Sequence, residues 1–210
     1  MNNSSLVVAT IVFLIGLLAC PLALGCGPTS PSAVDNALPE VIINDSYYQL
    51  DGTSEAELRR QMDRLGPADQ GHRPHDAYTA WHVGWSYPHL TTNDHCAIGP
   101  ISVTVTISHT WPQWKTPPQV SPTLLTKWER YLEALDRHEA GHRRIRIEAG
   151  RAISQILSRL PTYPTCAQLE QAADRQAEAI LAEFRRQERD YDQTTGHGRT
   201  QGAQFGSVIP

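Results

Sequence analysis

Apolar positions along this chain recur with two periods, and the switches between them mark out its elements. From Trp128 onward, Tyr131, Leu132, Leu135, Ile145, Ala149, Ala152, Ile153, Ile156 and Leu160 follow the three-and-four spacing of one helix face. Glu129, Arg130, Glu133, Arg137, Arg143, Arg144 and Arg151 fill the opposite face. Ser121-Pro122 starts this helix, and Pro161 and Pro164 end it. A second helix is predicted from about Cys166 to Tyr191, with Leu169, Ala172, Ala173, Gln176, Ala179, Ile180 and Phe184 as its core row. A shorter one begins at Ser54, which with Glu57 forms a capping box, and runs to about Leu65. Period two governs the strands. Val41 to Leu50 is a strand ending in an Asp51-Gly52 turn. In Tyr78 to Tyr87, Trp81, Val83, Trp85 and Tyr87 share a face; in Ile101 to Ser108, the odd positions are apolar and the even ones Ser or Thr. These last two strands are expected to pair antiparallel around the Leu90–Pro100 connection. Trp111-Pro112 to Pro122 reads as a Pro-rich crossing segment, and Thr194 onward is Gly-rich without periodicity. The predicted fold class is α+β, a small antiparallel sheet packed on helices, among them one long helix and a second, C-terminal one.

Composition sets the class of protein without naming its task. The chain has 210 residues, 40% hydrophobic and 19% charged, with a net charge of −4, which suits one globular domain. It carries no basic cluster, so nucleic acid is not an expected partner. Leu6 to Leu24 is an almost unbroken apolar run with no Lys or Arg before it. Residues 1–26 therefore read as a signal peptide or as a lipoprotein or membrane anchor; Cys20 and Cys26, each after small residues, loosely resemble a bacterial lipoprotein box. Residues 27–40 read as a flexible tether, 41–198 as the folded domain and 199–210 as a flexible tail. Export to the bacterial periplasm or cell envelope follows, with membrane association through the N-terminal segment, and the domain is expected to be a monomer. In an oxidising compartment Cys96 and Cys166 are expected to pair as a disulfide.

The chemistry concentrates in His138-Glu139-Ala140-Gly141-His142. Residues four apart lie one above the other on a helix, so both imidazoles reach one metal ion, and Glu139 beside them is placed to deprotonate a water. The helix phase strengthens this. His138 and His142 continue the apolar stripe between Leu135 and Ile145, and unpartnered polar groups on a buried stripe cost a few kcal/mol. Gly141 costs about 1 kcal/mol in a helix relative to Ala, which implies that something approaches the backbone closely there. The metal expected is Zn²⁺, with three protein ligands and an open position. Three residues compete for the third place. His197, flanked by glycines, ranks first. Asp192 ranks second, either as ligand or as a group that orients a histidine, and Glu170 on the second helix ranks third.

His138-Glu139-Ala140-Gly141-His142, the downstream Cys166, and Tyr191-Asp192 with Thr195, His197 and Gly198 together resemble the DUF922 family of predicted secreted zinc-dependent proteases. Trp81, Trp85 and the Trp111-Pro112-x-Trp114 turn are similar to its amino-terminal half, and the resemblance spans roughly Val41 to Gln204. It implies a zincin-like fold and an envelope-associated metallopeptidase acting on a protein or peptide substrate.

The leading expectation is thus a zinc metallopeptidase in which His138, His142 and His197 hold the metal. Glu139 acts as general base, and Tyr191 donates a hydrogen bond to the oxyanion. The alternative is a non-catalytic envelope protein, whose zinc is structural or whose exposed Trp residues bind a partner. Glu139 argues against a purely structural zinc, because it has no task there.

Overall fold

The computed structural model describes residues 38–68 and 74–206. The apolar run at the N-terminus, Cys20, Cys26 and most of the tether lie outside the described residues. The elements in chain order are β1 (Glu40–Leu50), α1 (Glu55–Leu65), β2 (Tyr78–Ser86), β3 (His89–Thr91), β4 (Cys96–Ile98), β5 (Ser102–Trp114), α2 (Pro122–Leu157) and α3 (Cys166–Thr195), followed by a 3₁₀ turn, Arg199–Gln201. The class is α+β. β2 and β5 pair antiparallel with Trp81 opposite Ile107, as their alternation predicts. Their connection folds into a small hairpin of its own, β3 against β4, which the sequence pattern did not predict.

The sheet is mixed, which corrects the antiparallel sheet expected from sequence. β5 is the central strand, and β1 lies on its other side in parallel, from Glu40 opposite Thr104 to Leu50 opposite Trp114. Alternation assigns the faces of a strand but not its direction. A parallel partner needs only a long crossover, and the stretch from α1 through β4 supplies one. β5 also runs further than expected, through the segment read as a crossing. Its pairing with β2 ends at Thr110, so Pro112 falls where only β1 is alongside; a residue without an N–H is tolerated where one ladder is missing.

Two apolar clusters hold the layers together. Val83, Val103, Val105 and Ile107 on the inner sheet face meet Ile153 and Leu157 of α2 and Ala173, Ala177 and Leu181 of α3. α2 comes so near the sheet that a Cβ at Gly150 would strike the Val105 side chain. At the other end Leu50, Leu58, Met62, Trp114, Trp128, Tyr131 and Phe205 form the second cluster. Phe205 belongs to the segment expected to be a flexible tail, yet it is fully buried, edge-on to Trp128. Arg59 donates to both carboxylate oxygens of Asp76, at 3.0 and 2.6 Å, and Tyr131 donates to the same carboxylate. This ties the loop before β2 to α1 and α2.

Helices α2 and α3 pack antiparallel, with Tyr191 near the end of α3 meeting Gly141 in the middle of α2. The Tyr191 hydroxyl donates to the carbonyl of His138 at 3.1 Å, and a Cβ at Gly141 would collide with that hydroxyl. The close approach implied by Gly141 is therefore that of Tyr191. At its start α3 is fixed by the Cys96–Cys166 disulfide, which joins it to β4 across 70 residues of sequence. Ser121 and Thr165 cap α2 and α3, each accepting from the backbone N–H three residues on. Gly141→Ala is expected to lower stability by about 1–3 kcal/mol in chemical unfolding, because overpacking against Tyr191 exceeds the gain in helix propensity. A Gly141→Ala protein as stable as the parent would show that this contact yields freely.

Candidate metal centre

Three elements build the site. α2 supplies His138, Glu139 and His142, all buried. α3 runs one turn beyond the end expected from sequence, to Thr195, and carries Asp192 on its last turn. The chain then reverses through Gly196, His197 and Gly198, all with positive φ. Two of the three are glycines, for which this backbone is free of strain; His197 at φ 54° adopts it without that freedom. This reversal is the fold-back that brings the tail over α2. A Cβ at Gly198 would press on the His138 ring.

Three imidazoles converge on one carboxylate oxygen, Asp192 Oδ1. His142 Nε2 lies at 3.0 Å, His138 Nε2 at 3.3 Å and His197 Nδ1 at 3.5 Å. His138, His142 and Asp192 offer ligand atoms within 4.8 Å of one another, close enough to share one ion. His197 stands at the rim, 61% exposed, beside that group but outside it. Glu170 is elsewhere, exposed and facing His89. His89 also lies beside Cys96 and Cys166, but those sulfurs are bonded to each other and leave no thiolate for a metal.

Residues beyond the motif fix how each ligand points. His138 Nδ1 is 3.0 Å from Gln201 Oε1, an oxygen that can only accept, so Nδ1 donates to Gln201 and Nε2 is the nitrogen turned toward Asp192. The Tyr191 ring stacks on His138 at 5.2 Å, and its hydroxyl accepts from Gln201 Nε2 at 3.1 Å. That hydroxyl is thus engaged on both sides, with the His138 carbonyl and with Gln201. Behind His142, Glu188 Oε1 is 3.5 Å from Nδ1 and 2.6 Å from Arg146 Nε. Thr79 Oγ1 donates to Glu139 Oε2 at 2.7 Å. Sequence reasoning missed Gln201, Glu188 and Thr79. Glu188 is four residues before Asp192 and so shares its helix face. Thr79 falls in the inward row of Trp81, Val83 and Trp85. Gln201 left no signal, because its position depends on the reversal at Gly196–Gly198.

The charges are coupled. Burial works against a charged His142, but the carboxylates of Asp192 and Glu188 outweigh it and raise its pKa to about 9. Burial likewise opposes the Asp192 carboxylate, yet hydrogen bonds from His138 and His142 hold it well below the usual range. The metal-free site at neutral pH is therefore an imidazolium–carboxylate pair. Two imidazole nitrogens and one carboxylate oxygen make a donor set of the kind that divalent transition-metal ions accept. The group opens into a cleft of about 520 Å³, lined also by His75, Asp76, Tyr78, Thr79, Arg146 and His197. In chemical terms it can hold a divalent cation beside a buried carboxylate and expose both to a ligand in the cleft.

No curated protein and no solved structure matches the chain. Residues 45–198 match the family described as "Bacterial protein of unknown function (DUF922)". That span begins within β1 and closes just past the His197 reversal, and so takes in every residue that converges on Asp192. The chain belongs to the DUF922 family.

Proposed function

We propose that this protein is an exported zinc-dependent metallopeptidase of the cell envelope, with a polypeptide as substrate. The observation that carries the reading is the convergence of His138 and His142 on Asp192 Oδ1 with Glu139 buried beside them. His138, His142 and Asp192 hold the zinc in this reading, which moves Asp192 ahead of His197 as third ligand; His197 serves at the rim. When bound, zinc supplies Lewis acidity that polarises a peptide carbonyl and acidifies water.

The chain's own residues do the rest. Gln201 keeps the His138 Nε2 lone pair toward the centre, and Glu188 stands behind His142. Glu139 takes a proton from the attacking water at Oε1, the oxygen not engaged by Thr79, and returns it to the nitrogen of the leaving amine. Tyr191 would have to release the His138 carbonyl to reach an oxyanion, so we assign it to holding that turn of α2. The Leu6–Leu24 run and the disulfide favour an exported protein. One observation supports a second reading. With His197 Nδ1 3.5 Å from Asp192 Oδ1, a fourth donor is at hand to close the site as a structural one.

Four outcomes test these readings. Purified protein is expected to bind about one zinc per chain by elemental analysis, lost in His138→Ala. Asp192→Ala is expected to weaken binding by about a hundredfold or more and His197→Ala by less, since losing a ligand exceeds the 10–100-fold cost of losing an outer partner. The reverse order would make His197 the third ligand, and a folded wild type that binds no zinc would remove both readings. Glu139→Gln is expected to keep zinc while hydrolysis of dye-quenched casein falls by about 10²–10⁴-fold; undiminished turnover would refute the general-base role, and no turnover in zinc-loaded wild type would favour the structural site. Zinc entry must also displace the His142 proton. Affinity measured by chelator competition is therefore expected to rise about tenfold per pH unit toward pH 9 and to level above it. A flat profile would contradict the proton displacement.

A further inference from the structure

Thr79 and His109 occupy opposite positions on the paired strands β2 and β5. Each continues the inward row of its strand, Thr79 before Trp81 and Val83, His109 after Val105 and Ile107. Apolar side chains would satisfy the packing at both places. Instead the two polar groups join end to end beneath the motif helix. Thr79 Oγ1 lies 2.7 Å from His109 Nδ1 and 2.7 Å from Glu139 Oε2. His109 is 2% exposed, and its Nε2 has no hydrogen-bond partner among the described residues.

Counting protons gives this chain a direction. A threonine hydroxyl has one hydrogen. Glu139 as a carboxylate can only accept, so that hydrogen goes to Glu139 Oε2. The hydroxyl must then accept from His109, which therefore carries its proton on Nδ1. Burial pushes the His109 pKa down, against the raising effect of Glu139 and Asp45, and the nearby Arg146 and Arg143 push the same way as burial. The imidazole is thus a neutral donor with one tautomer allowed. The tilted Trp111 ring, 5.1 Å away, leans against it.

We infer that His109, acting through the Thr79 hydroxyl, is a positioning residue for Glu139: the chain from His109 Nδ1–H to Thr79 Oγ1–H to Glu139 Oε2 locks one oxygen of the carboxylate and leaves Oε1 to face the reacting water. The role of Glu139 as a base rests on the metallopeptidase reading; the hydrogen-bond chain does not. Without the Thr79 hydroxyl the carboxylate is free to rotate on its stem, and misplacing a reacting group by about 1 Å costs on the order of 10²-fold in rate. Binding of zinc and of substrate does not depend on that orientation.

The test combines a spectroscopic and a kinetic readout on the full exported domain. Two-bond proton–nitrogen NMR on metal-free protein is expected to show His109 as the neutral Nδ1–H tautomer. Thr79→Val is expected to abolish that single tautomer and to move the side-chain ¹³C signal of Glu139, whereas Thr79→Ser preserves both. In zinc-loaded protein Thr79→Val is expected to lower kcat for dye-quenched casein by about 10–100-fold, with KM and zinc stoichiometry unchanged, and Thr79→Ser to restore it. His109→Asn, which keeps a donor near the Nδ1 position, is expected to retain more activity than His109→Leu; this pair decides the matter if Thr79→Val fails to fold. An Nε2–H tautomer in the wild type, or a Thr79→Val enzyme with unchanged kcat, would overturn the inference. If wild type does not cleave casein at all, the peptidase reading falls, and the tautomer and the Glu139 signal still decide whether the chain exists.

Discussion

The carboxylate of Asp192 is the constraint around which the rest of the molecule is arranged. A negative charge that is largely out of water must be paired or hydrogen-bonded, or its cost is several kcal/mol. Here it collects two imidazoles from α2 and faces a third across the chain reversal. Those partners lie on different elements, so satisfying one oxygen fixes the end of α3 against the middle of α2 and sets the start of the tail. The same requirement explains why Gly141 is a glycine. Only without a side chain there can Tyr191 descend onto the His138 carbonyl and bring the neighbouring Asp192 within reach.

A good part of this was legible in the sequence, because helix and strand phases are local properties. The stripe from Trp128 to Leu160 gave the long helix with His138 and His142 turned inward, and the structure buries both. The alternation of Trp81, Val83, Trp85 and of Val103, Val105, Ile107 gave two strands and their antiparallel pairing. Gly141 announced a close contact without naming its partner. The pairing of Cys96 with Cys166 followed from cysteine number once export was assumed.

What escaped was non-local. The parallel direction of β1 depends on how the chain returns, which no short period records. Pro112 read as a break because the sequence does not reveal that β5 has lost a neighbour by that point. Asp192 looked like a loop residue, since the apolar row of α3 fades after Phe184. The last turn persists because its side chains are held by α2, with Tyr191 on His138 and Asp192 on His142. Gln201 and Phe205 lie in a Gly-rich stretch with no pattern at all, yet one orients a histidine and the other fills the core. Their places follow from three left-handed residues in a row, a backbone feature that glycines permit but do not announce.

The manner in which α3 is fastened also governs how the molecule loosens. Helices ordinarily begin to come apart at their termini, where backbone groups lack partners and neighbours are few. This helix has a covalent bond to the hairpin at its first residue, Cys166, and a cluster of charge-assisted contacts on its final turn. It behaves as a beam clamped at both ends rather than a rod with free tips. Partial opening is therefore expected to begin elsewhere, with Asp192 and its two imidazole partners on α2 among the last contacts to part.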